Sequence, residues 1–84
     1  TIMSGTTVNA YHRRKTEQLG NLIRELRETR DWSPPRLADE AGVSANAIRN
    51  MEKNRVMSPS LIIVVKIARA FGFKASDLLD EVGL

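Results

Sequence analysis

The chain has 84 residues, a formal net charge of +3, 42% hydrophobic residues, no cysteine and one histidine, His12. This bounds a single small domain with a thin core. It argues against a disulfide framework, a thiolate metal site or a histidine relay. No apolar run approaches the ~18 residues of a membrane helix, so a cytoplasmic protein, bacterial or phage-encoded, is expected, with no membrane partner, no metal and no cofactor. The cationic excess lies in two stretches: residues 1–16 hold Arg13, Arg14 and Lys15 with no acid, and residues 44–58 hold Arg49, Lys53 and Arg55 against Glu52. Such clusters suit a polyanion and suit plain solvation equally well.

In chain order, residues 1–10 show no sustained period, and residues 1–15 are expected to form a flexible basic arm ahead of a folded domain at 16–84. Leu19, Leu22, Ile23 and Leu26 follow i, i+3, i+4, i+7 and predict an amphipathic helix ending near Arg30 or Asp31. Ser33-Pro34-Pro35 marks the next helix start, with Pro34 outside and Pro35 inside, because a residue before proline avoids the helical region. Leu37, Ala38 and Ala41 give that helix its apolar face, and Gly42 supplies a left-handed stop. Ser44 caps a third helix by accepting an N–H from Asn46 or Ala47. Val43 and Ile48 occupy the two positions of a hydrophobic staple, and Ile48 and Met51 point inward.

Lys53 to Met57 reads as a loop. Ser58-Pro59 predicts a cap and the start of a fourth helix that buries Leu61, Val64, Val65, Ala68 and Phe71 before Gly72. Ser76 is expected to cap a fifth helix carrying Leu78, Leu79 and Val82. The run Leu61-Ile62-Ile63-Val64-Val65 would suit a buried strand. A lone strand has nothing to pair with, however, and the apolar pattern continues to Phe71. The fold class is therefore all-α, with five helices.

Pro34 to Met51 has the layout helix, glycine turn, helix. A steep, close crossing needs a small residue such as Ala38, and Gly42 makes the turn. Opposite Ile48 and Met51, the residues Asn46, Arg49, Asn50 and Lys53 form a polar stripe at i, i+3, i+4, i+7. Asparagine can bond adenine in bidentate fashion, arginine can bond guanine or phosphate, and Ala47 is small enough to meet a thymine methyl. Any amphipathic surface helix shows such a stripe, so the stripe acquires meaning from the motif around it.

The segment LGNLIRELRETRDWSPPRLADEAGVSANAIRNMEKNRVMSPSLIIVVKIARAFGFKASDLL resembles the Cro/lambda-repressor-like helix-turn-helix family over about residues 19–79. The resemblance implies a compact five-helix DNA-binding domain whose second motif helix, about Ser44–Glu52, enters the major groove. Base reading then falls to Asn46, Ala47, Arg49 and Asn50. Phosphate contacts fall to Ser33, Arg36, Ser44, Lys53, Asn54 and Arg55, with Arg13, Arg14 and Lys15 as an arm along the duplex or a mere solubilising tail.

There are departures from the family pattern. Pro34 stands where the family commonly has a glutamine that links the two helices and a phosphate. Pro34 and Pro35 remove two N–H donors from a helix start that often binds phosphate. Ala45 and Ala47 replace longer polar residues, and Ile62 and Ile63 replace polar ones. The expected function is sequence-specific binding of double-stranded DNA by a transcriptional regulator, foremost a repressor, acting as a homodimer. The dimer candidates are Ile62, Ile63, Leu78, Leu79, Val82 and Leu84, of which Leu78 and Leu79 equally suit closing the core. The alternative is a protein-interaction module of the same fold, antitoxin- or coactivator-like, with weak or no specific DNA reading. No pairing of residues suggests an enzyme.

Overall fold

A computed structural model describes residues 5–55 and 59–83, with side chains from Ala10 onward. The helices are α1 (Gly5–Thr29), α2 (Pro34–Ala41), α3 (Ala45–Glu52), α4 (Leu61–Ala70) and α5 (Ala75–Glu81), and no strand occurs among the described residues. The β-branched run of α4 is helical, as its continuation to Phe71 required.

Helix α1 begins at Gly5, so residues 5–15, expected as an arm without regular structure, belong to a helix of 25 residues. At 1.5 Å per residue it is about 37 Å long, and it accounts for the long dimension of a 45 × 22 × 21 Å body. Once Leu19–Leu26 is fixed against a core, extending the helix backward needs no new nucleus. One local and one long-range bond support it: the Thr16 hydroxyl donates to the His12 carbonyl at 2.8 Å, and Lys15 Nζ donates to the Val82 carbonyl at 2.9 Å. Residues 10–14 are exposed. They show no apolar period because no core lies opposite them.

The caps follow the sequence with three shifts. Ser33 caps α2 with φ −75° and ψ 163°, and both prolines lie inside the helix as its first two residues. Pro34 was expected outside. The extended backbone of Ser33 meets the demand of the proline after it, and first-turn N–H groups have no intrahelical partner to lose. Ser44 caps α3 through the Ala47 N–H at 3.1 Å. Helix α4 starts at Leu61, with Ser60 as its cap residue rather than Ser58, which lies outside the described residues, as do Val56, Met57 and Leu84. Helix α5 starts at Ala75, and Asp77 Oδ2 accepts the Lys74 N–H at 2.9 Å, so Asp77 and not Ser76 secures its entry.

The core draws on every helix: Leu19 and Ile23 from α1, Leu37 and Ala38 from α2, Ile48 and Met51 from α3, Val64, Ile67, Ala68 and Phe71 from the α4 segment, Leu78 and Val82 from the α5 segment. Leu78 and Val82, expected as candidates for a dimer surface, are sealed in this core at 2% and 7% exposure. Leu61 was expected inside but is 67% exposed, beside Ile62 at 66%. The buried stripe of α4 begins a turn later, at Val64, and its first turn overhangs the core edge. Val65, Ile63 and Leu79 are half-buried.

Trp32, the only tryptophan, closes the α1–α4 corner. Its ring stacks on Phe71 at 5.8 Å between centroids and 15° between planes. The Arg30 guanidinium lies 4.8 Å from the Phe71 centroid and donates to the Phe71 carbonyl at 3.0 Å.

Candidate nucleic-acid interface

Helix α3 is held at both ends. At its start, Ser44 supplies the cap. At its end, Glu52 is 7% exposed and takes a two-pronged hydrogen-bonded pair from Arg27, Nε to Oε2 at 2.9 Å and Nη2 to Oε1 at 2.8 Å. The third arm of Arg27, Nη1, donates to the Trp32 carbonyl at 2.7 Å, which ties the α1–α2 turn into the same joint. The Glu52 hydrogen bonds outweigh burial and hold the Arg27 guanidinium above its ordinary range. Planar, bidentate pairing is the geometry in which arginine recognises carboxylate best.

Between the two ends, Gly20 of α1 lies against the α3 backbone. A Cβ built there would collide with the Met51 carbonyl oxygen, so only glycine permits this approach.

Sequence reasoning missed Arg27, Glu52 and Gly20, although a signal existed for the ion pair. Arg27 extends the apolar row Leu19, Ile23 by four, and Glu52 extends Ile48 by four. Opposite charges at two core-facing positions, on helices expected to pack, indicate a buried pair.

With its inner side anchored, α3 turns Asn46 and Arg49 to solvent, and Ala47 and Asn50 are half-buried. The helix closes into a tight turn. Asn54 takes a left-handed φ of 59°, and the Arg55 N–H donates to the Asn50 carbonyl at 2.9 Å. Asparagine tolerates that conformation better than most residues. Lys53, Asn54 and Arg55 are all exposed. Arg49, Lys53 and Arg55 thus give this end of α3 three outward cations, while the one acid in the stretch, Glu52, is turned inward and already paired.

The remaining predicted contact residues are placed unevenly. Ser33 and Ser44 are exposed, and each hydroxyl oxygen accepts a backbone N–H while its own proton stays available to an outside acceptor. Arg36 is exposed, but its Nε donates to Glu40 at 3.0 Å and its guanidinium lies 5.3 Å from the Trp32 ring centroid. At the start of α2, Pro34 and Pro35 have no N–H, the Arg36 N–H goes to Ser33 Oγ at 3.2 Å and the Leu37 N–H to the Ser33 carbonyl at 3.0 Å.

Of the arm residues, Lys15 is committed to the Val82 carbonyl. Arg13 stands two turns before Gly20 and therefore on the α3 side of α1, whereas Arg14 lies about a third of a turn away. Ile62 is exposed, and Ile63 packs against the core. Among the described residues no helix is long and apolar enough to cross a membrane.

A family model described as helix-turn-helix matches residues 23–78. The chain is 42% identical over 65 residues to an uncharacterized HTH-type transcriptional regulator of Methanothermobacter thermautotrophicus, covering 74% of this chain and 93% of that one. It is 33% identical over 58 residues to the uncharacterized HTH-type transcriptional regulator YgzD of Bacillus subtilis, covering 69% and 86%. It is also 29% identical over 63 residues to the HTH-type transcriptional regulator SinR of Bacillus subtilis, where the match covers 75% of this chain and 57% of SinR. No solved structure matches the chain.

Proposed function

This chain belongs to the Cro/lambda-repressor-like helix-turn-helix family of DNA-binding transcription regulators, and we propose that it recognises one duplex DNA sequence by laying α3 along the major groove. The observation that carries this reading is the orientation of charge on α3: Glu52 is consumed inside by Arg27, and Arg49, Lys53 and Arg55 face outward. In this reading Asn46, Ala47, Arg49 and Asn50 meet base edges. Lys53, Asn54, Arg55 and the hydroxyls of Ser33 and Ser44 meet phosphates and set register. Arg13 extends the cationic track along the same side of α1. The protein acts in the cytoplasm on bacterial or phage DNA as a repressor, and a homodimer engages two half-sites about one helical turn, roughly 34–36 Å, apart.

Selection of bound fragments from a random duplex pool tests the proposal and returns the site. Enrichment of one motif, lost when Asn50→Ala replaces the wild type, is the expected result. A pool that stays random after several rounds overturns it.

A second reading, a protein-interaction module of the same fold, draws on two observations: the donor-free start of α2, and the exposed pair Leu61 and Ile62. Titration with random genomic DNA at two salt concentrations separates the readings. Phosphate contacts give an affinity that falls steeply with salt, and an interaction module gives weak binding on all sequences.

A further inference from the structure

A shallow groove runs between α1 and α5. Leu22, Leu26 and the partly exposed Phe73 form its floor, and Asp80 and Glu81 stand on its rim, with Glu25 where it continues along α1. The ion pairs among the described residues are Arg27–Glu52 and Arg36–Glu40, so none of these three carboxylates has a cationic partner there. On a chain of net charge +3, this is a concentrated acidic edge around apolar surface, and it would repel a phosphate backbone.

The complement lies on the same helix. The first half of α1 carries Arg13 and Arg14 with no acid, and residues 10–14 are exposed. Tyr11, Arg14, Gln18, Leu22 and Glu25 stand at i, i+3, i+7, i+11 and i+14. At 3.6 residues per turn they line one side of α1. Cationic and aromatic residues fill its N-terminal end, and apolar and acidic residues fill its C-terminal end. An antiparallel pairing of two such stripes across a two-fold axis between positions 19 and 20 sets Arg14 against Glu25 of a second copy, twice. It also sets Gln18 against Asn21 near the axis. A two-fold contact is self-complementary in this way.

We propose that the α1–α5 groove is the dimer surface of this protein, occupied by the N-terminal half of α1 of a second copy with reciprocal Arg14–Glu25 pairs. This rests on the homodimer named above and needs nothing from the base-reading assignment. Gly20, Ile23 and Arg27, the side of α1 that touches α3, lie roughly half a turn around the helix from the stripe, so the pairing leaves the outer face of α3 uncovered.

The test is charge reversal read by sedimentation equilibrium, with circular dichroism confirming that each variant keeps its helicity. Arg14→Glu and Glu25→Arg should each weaken the dimer at least tenfold, and the double variant should restore it. Because the chain has no cysteine, Gln18→Cys places a single thiol close to the two-fold axis and should yield a covalent dimer on mild oxidation. Three results overturn the proposal: a monomer at every accessible concentration, a dimer indifferent to both reversals, or a double variant no tighter than the singles. Duplex titration of the same variants keeps the two readings apart. A dimer that responds as expected but binds no DNA counts against base reading alone.

Discussion

The starts of α2 and α3 are two versions of one device with opposite capacities. Each has a serine cap in nearly the same conformation, φ −75° and ψ 163° at Ser33, φ −77° and ψ 150° at Ser44. Each cap oxygen accepts the N–H three residues on. They differ in the two residues that follow. At α2 these are Pro34 and Pro35, so no unengaged backbone donor points outward. At α3 they are Ala45 and Asn46, whose N–H groups have no intrahelical acceptor. The positive end of a helix attracts an anion through both its dipole and its donors, and α2 keeps only the first. Hence one helix start is built to stay closed and the other to stay open, with capping geometry held constant.

The largest test of this contrast removes what presents α3 at all. Glu52→Ala leaves the half-buried Arg27 guanidinium without its carboxylate, and breaking such a pair costs about 3–5 kcal/mol. Denaturant unfolding should show it, and a loss under about 1 kcal/mol would mean that α3 is positioned by packing alone. Because Glu52 raises the Arg27 pKa, the guanidinium's share of this stabilisation is complete at neutral pH and is lost only as pH rises into strong alkali. Next, Arg49→Ala should cost about 1–3 kcal/mol on the selected site and much less on random DNA. Equal losses on both would reassign Arg49 to phosphate.

A matched pair of cap deletions sharpens the comparison further. Ser33→Ala and Ser44→Ala should each cost about 1 kcal/mol of stability, but Ser44→Ala should also weaken DNA binding more, since it alone sits at the donor-bearing start. Equal DNA effects would erase the distinction. The smallest effect is a gain. Pro34→Gln returns an N–H and an amide to α2, and affinity should rise by a few-fold, on the order of 0.5–1 kcal/mol for one added hydrogen bond. No gain at all would place α2 away from the phosphates.

The sequence made the inward rows of α2 and α3, the row Leu19 and Ile23 of α1, and the caps Ser33 and Ser44 legible, because a buried stripe and a capping oxygen are local and periodic. Three things were not legible from that pattern. The first half of α1 has nothing to pack on, so its helicity left no apolar period. The Arg27–Glu52 joint is a pairwise fact across 25 positions, legible only when the core-facing rows of two helices are compared with each other. Gly20 adds nothing to the apolar row, and it is the residue that lets α1 approach the Met51 carbonyl. For the interface, residue types on α3 were readable, but the commitment of Arg36 to Glu40 and of Lys15 to Val82 required coordinates.

Trp32 gives the molecule a built-in optical gauge. As the sole indole, stacked on Phe71 where α1 meets the end of α4, it emits from the seam that joins the first half of the chain to the second. The Arg36 guanidinium lies 5.3 Å from its ring centroid. Its emission should therefore report both the cooperative opening of that seam and any charge drawn toward the start of α2, without a dye.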